Sequence, residues 1–90
     1  MALAILKLKV MPESPEVDLE QLKKMIEQKV GEIGAKLHSI EKEPIAFGLV
    51  ALIVTLAWPE EKGQEEAEAA LAKIEKVNSV EVIDYRRAFG

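Results

Sequence analysis

The sequence contains no cysteine, and this absence excludes disulfide bonds, thiolate metal ligands and cysteine nucleophiles. It has a single histidine, His38, and few serine and threonine residues, none of them in a nucleophile motif. We expect His38 to be an ordinary surface or half-buried residue on a polar strand. No metal site, catalytic triad or cofactor is therefore predicted, and the chain is not expected to be an enzyme.

The chain also lacks a long hydrophobic run. Residues 1–6 are apolar, but Lys7 and Lys9 follow long before the roughly 20 apolar residues that a membrane span needs. We expect no signal peptide and no membrane anchor, and the absence of cysteine favours a cytoplasmic location.

The composition is that of a small globular protein. The chain has 90 residues, of which 49% are hydrophobic and 31% charged. This length suits one folding unit and leaves too little for a second core, so a single domain over residues 1–90 is predicted. The formal net charge of -4 argues against bulk binding to the phosphates of nucleic acid.

The hydropathy pattern changes period along the chain between that of a strand and that of a helix. Asp18 is the expected N-cap of the first helix, and Gly31 and Gly34 are expected to enclose the turn that follows it. Residues 46–48 are expected to connect a polar edge strand to an apolar central strand. In chain order, the predicted elements are a strand over 2–10, a helix over 18–30, strands over 36–46 and 49–58, a helix over 64–76 and a strand over 80–87.

This order predicts an α+β protein of ferredoxin-like βαββαβ architecture, with a four-stranded antiparallel sheet and two helices on one face. Two functions of that fold are disfavoured. Residues 49–57 of the central strand include no aromatic side chain on which an RNA base could stack, and residues 11–17 contain no Arg or Lys to hold a phosphate ester. No glycine-rich phosphate loop is present either.

Two features are candidates for contact with a partner. Phe47, next to Gly48 at the expected hairpin tip, either folds back onto the domain or inserts into another protein. Arg86 and Arg87, in a basic and aromatic tail that runs to residue 90, either end a solvated strand or bind carboxylate or phosphate on a partner.

The sequence resembles the archaeal elongation factor one-beta family, the counterpart of the exchange domain of the eukaryotic factor. The resemblance covers nearly the whole chain. It rests on the motifs LKLKVMP at 6–12, PIAFGL at 44–49 and VNSVEV at 77–82, and on the terminal basic pair.

The resemblance implies a guanine-nucleotide exchange factor that promotes replacement of GDP by GTP on elongation factor one-alpha, a GTPase partner. It places Phe47 and Gly48 at the hairpin that inserts between helices of the GTPase. It places Arg87, or Arg86 beside it, where eukaryotic members have a lysine directed toward the Mg²⁺ and phosphate site. No nucleic acid, membrane or small-molecule substrate is expected as a partner.

Two other functions remain open on the residues alone. One is a small-ligand-sensing regulatory domain of ferredoxin-like fold. The other is a structural unit that oligomerises through its edge strand, which Pro44 and the charges of residues 36–43 discourage. Both leave Phe47 and the basic tail unexplained.

Overall fold

The computed structural model describes residues 3–87, which form four strands and two helices. The elements are β1 (Leu3–Pro12), α1 (Leu19–Glu32), β2 (Lys36–Pro44), β3 (Val50–Pro59), α2 (Gln64–Ala72) and β4 (Val77–Arg87). The order of the elements is the predicted βαββαβ. Within residues 3–87, no helix has the length and apolar composition needed to cross a membrane.

The four strands make one antiparallel sheet in the order β2-β3-β1-β4. The apolar strand β3 and the first strand β1 occupy its centre, while the more polar β2 and β4 form its edges. This arrangement confirms the ferredoxin-like prediction and the assignment of β2 to an edge.

Both helices cover the same face of the sheet. The core side chains of β1 and β3 on that face come from every second residue of each strand, since successive side chains point to opposite faces. Trp58 is the largest of these side chains and is fully buried. The core consists of Leu6, Leu8, Val10, Leu22, Ile26, Val30, Leu52, Val54, Leu56, Trp58, Ala67, Leu71 and Ile74.

The first helix begins as predicted and ends later than predicted. The Asp18 side chain accepts hydrogen bonds from the backbone N–H groups of Glu20 and Gln21, at 3.0 and 3.3 Å. At the other end, Gly34 has φ +78°, and the N–H groups of Gly34 and Ala35 donate to the carbonyls of Gly31 and Val30. This is a Schellman ending, so Gly31 lies inside the helix and the turn that follows is made at Ile33 and Gly34.

The second half of the chain differs from prediction in where α2 ends and β4 begins. The helix stops at Ala72, and the turn is made by the next residues, with Lys76 at φ 74°. The strand predicted over 80–87 begins earlier than expected, because Asn78 and Ser79 also lie in β4. Strand pairing explains this difference. Ser79 lies opposite Met11 of β1, and pairing with β1 outweighs the local preference of Asn and Ser for turns.

The uncovered face of the sheet carries charges in cross-strand pairs. Lys7 lies opposite Asp84, and Lys9 lies opposite Glu81. Opposite charges facing each other across an antiparallel pair stabilise the pairing by about 0.2–1 kcal/mol. Lys7 and Lys9 therefore lie on the face that the helices leave uncovered, opposite in direction to the core residues Leu6, Leu8 and Val10.

Candidate functional site

The hairpin between β2 and β3 holds Phe47 and Gly48 at its tip. The Leu49 N–H donates to the Ala46 carbonyl at 3.0 Å, which closes a four-residue turn around them. Both central residues have positive φ, 56° at Phe47 and 80° at Gly48. Positive φ at both positions is the requirement of a type I′ turn, which matches the twist of the strands it connects.

Phe47 at this position is unfavourable for the stability of the fold, for two reasons. Its side chain is 96% exposed, so it contributes almost no buried area to the fold. Its backbone is left-handed, which costs a residue with a Cβ about 1–2 kcal/mol. The ring does not fold back onto the domain. A strained and exposed aromatic residue is a feature found at binding sites.

Other apolar side chains surround the tip. Ile45 is 41% exposed, and Ala46 and Pro44 are exposed as well. Gly48 lies against the loop between β1 and α1, since a Cβ on Gly48 would lie 3.6 Å from Pro15. We call Pro15, Pro44, Ile45, Ala46 and Phe47 the hairpin patch.

A charged cluster connects α1 to β2 on the helix side of the sheet. Lys42 of β2 and Lys23 of α1 each lie 3.4 Å from the Glu20 carboxylate. The hydrogen bond from Lys42, and then that from Lys23, holds the pKa of Glu20 below its ordinary value. The two ammonium groups thus favour the ionised carboxylate, and the ion pairs connect α1 to β2 at the surface.

The two C-terminal arginines lie side by side on β4 but on opposite faces of the sheet. Arg86 is paired in register with Ile5, and its Nε lies 3.1 Å from Asp84 on the uncovered face. Arg87 is paired with the buried Ala4, and its Nε lies 2.8 Å from Glu60. Because neighbouring side chains of a strand point to opposite faces, the two arginine side chains leave this end of the sheet in opposite directions. Residues 88–90 of the predicted tail lie outside the described residues.

The loop from β3 to α2 supports the Arg87 end of the sheet. The Trp58 Nε1–H donates to the Lys62 carbonyl at 3.2 Å, and the Lys62 Nζ donates to the Ile33 carbonyl at 3.0 Å. The Lys62 ammonium also lies over the Trp58 ring, 5.4 Å from its centre. These contacts fix the loop, and with it Glu60, to the core and to the end of α1.

The structure places the predicted site residues in two groups, at opposite ends of the sheet. The hairpin precedes the first residue of β3, whereas Arg87 lies beside Ala4, which is paired with Trp58 near the other end of β3. The 10 residues of β3 span about 30 Å at about 3.3 Å per residue. Phe47 and Gly48 therefore form one candidate surface, and Arg86 and Arg87 another.

Sequence reasoning missed the neighbours of both groups. Pro15 lies beside Gly48, Ile45 lies two residues before Phe47, and Glu60 pairs with Arg87. Ile45 could have been found as a second apolar residue in the hairpin. Glu60 could not, because its contact with Arg87 depends on how β3 and β4 are placed on either side of β1.

Solved structures with similar backbones support the fold alone. The C-terminal domain of the MgtC protein from Mycobacterium tuberculosis matches with a TM-score of 0.67 at 17% identity, covering 96% of this chain and 88% of that one. The ACT domain from GTP pyrophosphokinase of Chlorobium tepidum matches with a TM-score of 0.63 at 11% identity, covering 88% and 96%.

Curated relatives are much closer in sequence. Elongation factor 1-beta of Methanothermobacter thermautotrophicus is 54% identical over 81 residues, 89% of this chain and 90% of that protein. The proteins of the same name from Methanosarcina barkeri and Haloarcula marismortui are 52% and 48% identical over 83 and 77 residues. These cover 90% and 84% of this chain, and 92% and 86% of the relatives. The family model described as the EF-1 guanine nucleotide exchange domain matches residues 5–87, and the chain belongs to that family.

Proposed function

We propose that this chain promotes exchange of GDP for GTP on elongation factor one-alpha during translation elongation in the cytoplasm. Residues 1–90 act as one exchange domain that binds the GTPase and performs no covalent chemistry. The single observation that supports this best is Phe47, 96% exposed and left-handed at the hairpin tip of a chain from an exchange-domain family. The GTPase is the proposed partner, without nucleic acid, membrane or small-molecule substrate.

Exchange needs only a difference in affinity. A protein that binds the nucleotide-free GTPase tightly and the GDP-bound form weakly lowers the affinity for GDP by the same factor, because the coupling is reciprocal. Neither nucleophile nor metal is required of the exchange factor. Its surface must instead offer contacts that the nucleotide-bound GTPase cannot accept.

The hairpin patch supplies an apolar contact of this kind. Burying an exposed Phe side chain contributes about 1.5–3 kcal/mol, and none of this is used in the free domain. The type I′ turn holds the ring away from the sheet, so binding does not require the hairpin to unfold. Phe47 is therefore proposed to insert into an apolar pocket of the GTPase.

The basic end supplies the second contact. Guanidinium groups bind carboxylate and phosphate oxygens through charge-assisted hydrogen bonds. Arg87 or Arg86 is proposed to reach the anionic nucleotide site of the GTPase. Because this end lies about 30 Å from the hairpin, a GTPase that binds both contacts must reach across about 30 Å of the domain.

The first prediction concerns the release of a fluorescent GDP analogue from elongation factor one-alpha. Addition of this protein is expected to accelerate release in a concentration-dependent manner. Phe47→Ala is expected to weaken binding by about 2 kcal/mol or more, which is roughly 30-fold in Kd, because a buried aromatic anchor is a typical interface hot spot.

The matched control is Ile83→Ala, which shortens an exposed apolar side chain on β4, away from the hairpin. It is expected to stimulate release as well as the unmodified chain. Equal stimulation by the Phe47 variant would remove the hairpin from the mechanism, and no stimulation by the unmodified chain would overturn the proposed function. The likeness to an ACT domain concerns fold alone and does not favour ligand sensing.

A further inference from the structure

Glu60 stands out among the carboxylates of residues 3–87 that pair with an arginine. Its side chain is 20% exposed, and it lies 2.8 Å from the Arg87 Nε, although 27 residues separate the two in sequence. The pair at Arg86 differs, because Asp84 lies on the same strand two residues earlier. Glu60 thus connects the β3–α2 loop to the last described residue of β4.

The two members of this ion pair differ in how firmly they are held. The Lys62 N–H donates to the Pro59 carbonyl at 3.1 Å, which closes the turn that contains Glu60. Bonds from Trp58 and Lys62 fix that turn further. Arg87, in contrast, has a side chain that is 83% exposed at the end of an edge strand. Glu60 therefore has the better-fixed backbone and the less exposed side chain of the two.

The contact is made by Nε, which is one of five N–H donors of the guanidinium. The other four belong to the two Nη nitrogens at the outer end of the group, where they suit bidentate binding of carboxylate or phosphate. A lysine ammonium has a single nitrogen. It could not bind Glu60 through one nitrogen and offer two others to a carboxylate or phosphate of a partner.

We propose that Glu60 is a positioning residue for nucleotide exchange, which holds the Arg87 guanidinium so that its outer edge meets anionic groups at the nucleotide site of the GTPase. This inference rests on the proposed function. Its physical basis is preorganisation: an oriented Arg loses less side-chain entropy when it binds than a freely rotating one. Because the proposed contact lies at the nucleotide site, we expect the effect in the rate of GDP release from the complex, in addition to any effect on the affinity for the GTPase.

The test measures release of the fluorescent GDP analogue over a range of exchange-factor concentrations. This separates the maximal rate from the concentration that gives half of it. Glu60→Gln keeps the size of the side chain and removes its charge, and we expect the maximal rate to fall about three- to tenfold. Glu61→Gln is the matched control, since it makes the same charge change at the exposed neighbouring residue, and it is expected to leave the rate unchanged.

A double-mutant cycle identifies the route of the effect. Arg87→Gln alone is expected to lower the maximal rate at least as much as Glu60→Gln, and adding Glu60→Gln to it is expected to cause no further loss. Arg87→Lys is expected to be slower than the unmodified chain, because one ammonium must either stay with Glu60 or face the partner. A thermal unfolding curve for each variant confirms that the fold is retained.

The inference is overturned if Glu60→Gln matches Glu61→Gln, if it raises the rate, or if its loss persists undiminished in the Arg87→Gln background. It is also overturned if Arg87→Gln has no effect. In all four cases the unmodified chain still accelerates release, so the proposed function stands. Failure of the unmodified chain itself would instead count against exchange activity.

Discussion

At the scale of single residues, Phe47 shows a conflict between folding and function. A hairpin tip of this kind favours Asn or Gly, which tolerate positive φ, and it normally exposes polar side chains. This chain places an aromatic residue there with φ 56° and almost no contact with its own core. The fold gains nothing from the ring, so its presence is best explained by a partner.

The conflict at Phe47 predicts that a better turn residue at this position stabilises the fold. Phe47→Asn gives the turn an Asn-Gly dipeptide, the preferred type I′ sequence, and is expected to raise the free energy of unfolding by about 0.5–1 kcal/mol. The midpoint of thermal unfolding should rise by about 2–8 °C. The same variant is expected to lose most of its stimulation of GDP release.

Ile45→Asn serves as the matched control, because it makes the same apolar-to-Asn change in the same hairpin at a residue without positive φ. It should not stabilise the fold. A Phe47→Asn protein that is no more stable than the unmodified chain would show that the left-handed Phe47 is unstrained or that its ring contributes to folding.

At the scale of elements, local chemistry determined where α1 begins, but its end depended on geometry that composition does not specify. Asp18 is followed by a helical pattern, and its carboxylate has free N–H groups to bind, so its role is readable from the sequence. Gly31 and Gly34 are each acceptable as helix-ending residues. Only Gly34 adopts positive φ, because only there does the Schellman pair of hydrogen bonds form.

Substitution by Ala is therefore expected to have opposite effects on stability at Gly31 and Gly34. Gly31→Ala places a methyl group in a helix with nothing within 4 Å, and it is expected to stabilise the fold by up to about 1 kcal/mol. Gly34→Ala forces a Cβ into a left-handed position and is expected to destabilise it by about 1 kcal/mol. Urea denaturation of both variants measures the difference, and equal signs would contradict the assigned helix end.

The misplaced start of β4 has a related cause. Asn78 and Ser79 have the composition of a turn, and nothing nearby in the sequence indicates otherwise. Ser79 lies opposite Met11 and Val77 lies opposite Pro12 in β1, more than 60 residues away, and these pairs keep the segment that contains Asn78 in the strand. Hydropathy periods thus predicted the number, type and order of the elements, whereas the ends of elements depended on pairing between distant segments.

At the scale of the whole molecule, the main result is the distance between the two candidate contacts. Phe47 and the basic pair were each identified from sequence, but a sequence does not show whether two segments meet. The order and direction of the strands determine whether they meet. Here the length of β3 separates the hairpin from Arg87 by about 30 Å, in a molecule 41 Å long. Glu60 was missed for the same reason, since its contact arises only when the sheet is assembled.

The last prediction tests this separation. Energetic effects of substitutions more than about 7–10 Å apart, with no shared partner, add to within about 0.3–0.5 kcal/mol. For binding to nucleotide-free elongation factor one-alpha, the losses caused by Phe47→Ala and Arg87→Gln are therefore expected to sum in the double variant. The measurement is Kd for the unmodified chain, both single variants and the double variant at one salt concentration.

The substitutions Glu60→Gln and Arg87→Gln provide a contrast, because they change two residues that contact each other. Those two side chains lie 2.8 Å apart, so their effects on the maximal release rate should not sum. If the Phe47 and Arg87 effects on Kd also failed to sum, the two ends would be energetically coupled through the GTPase. Two independent contacts would then be the wrong description, and binding at the hairpin would be a condition for Arg87 to engage.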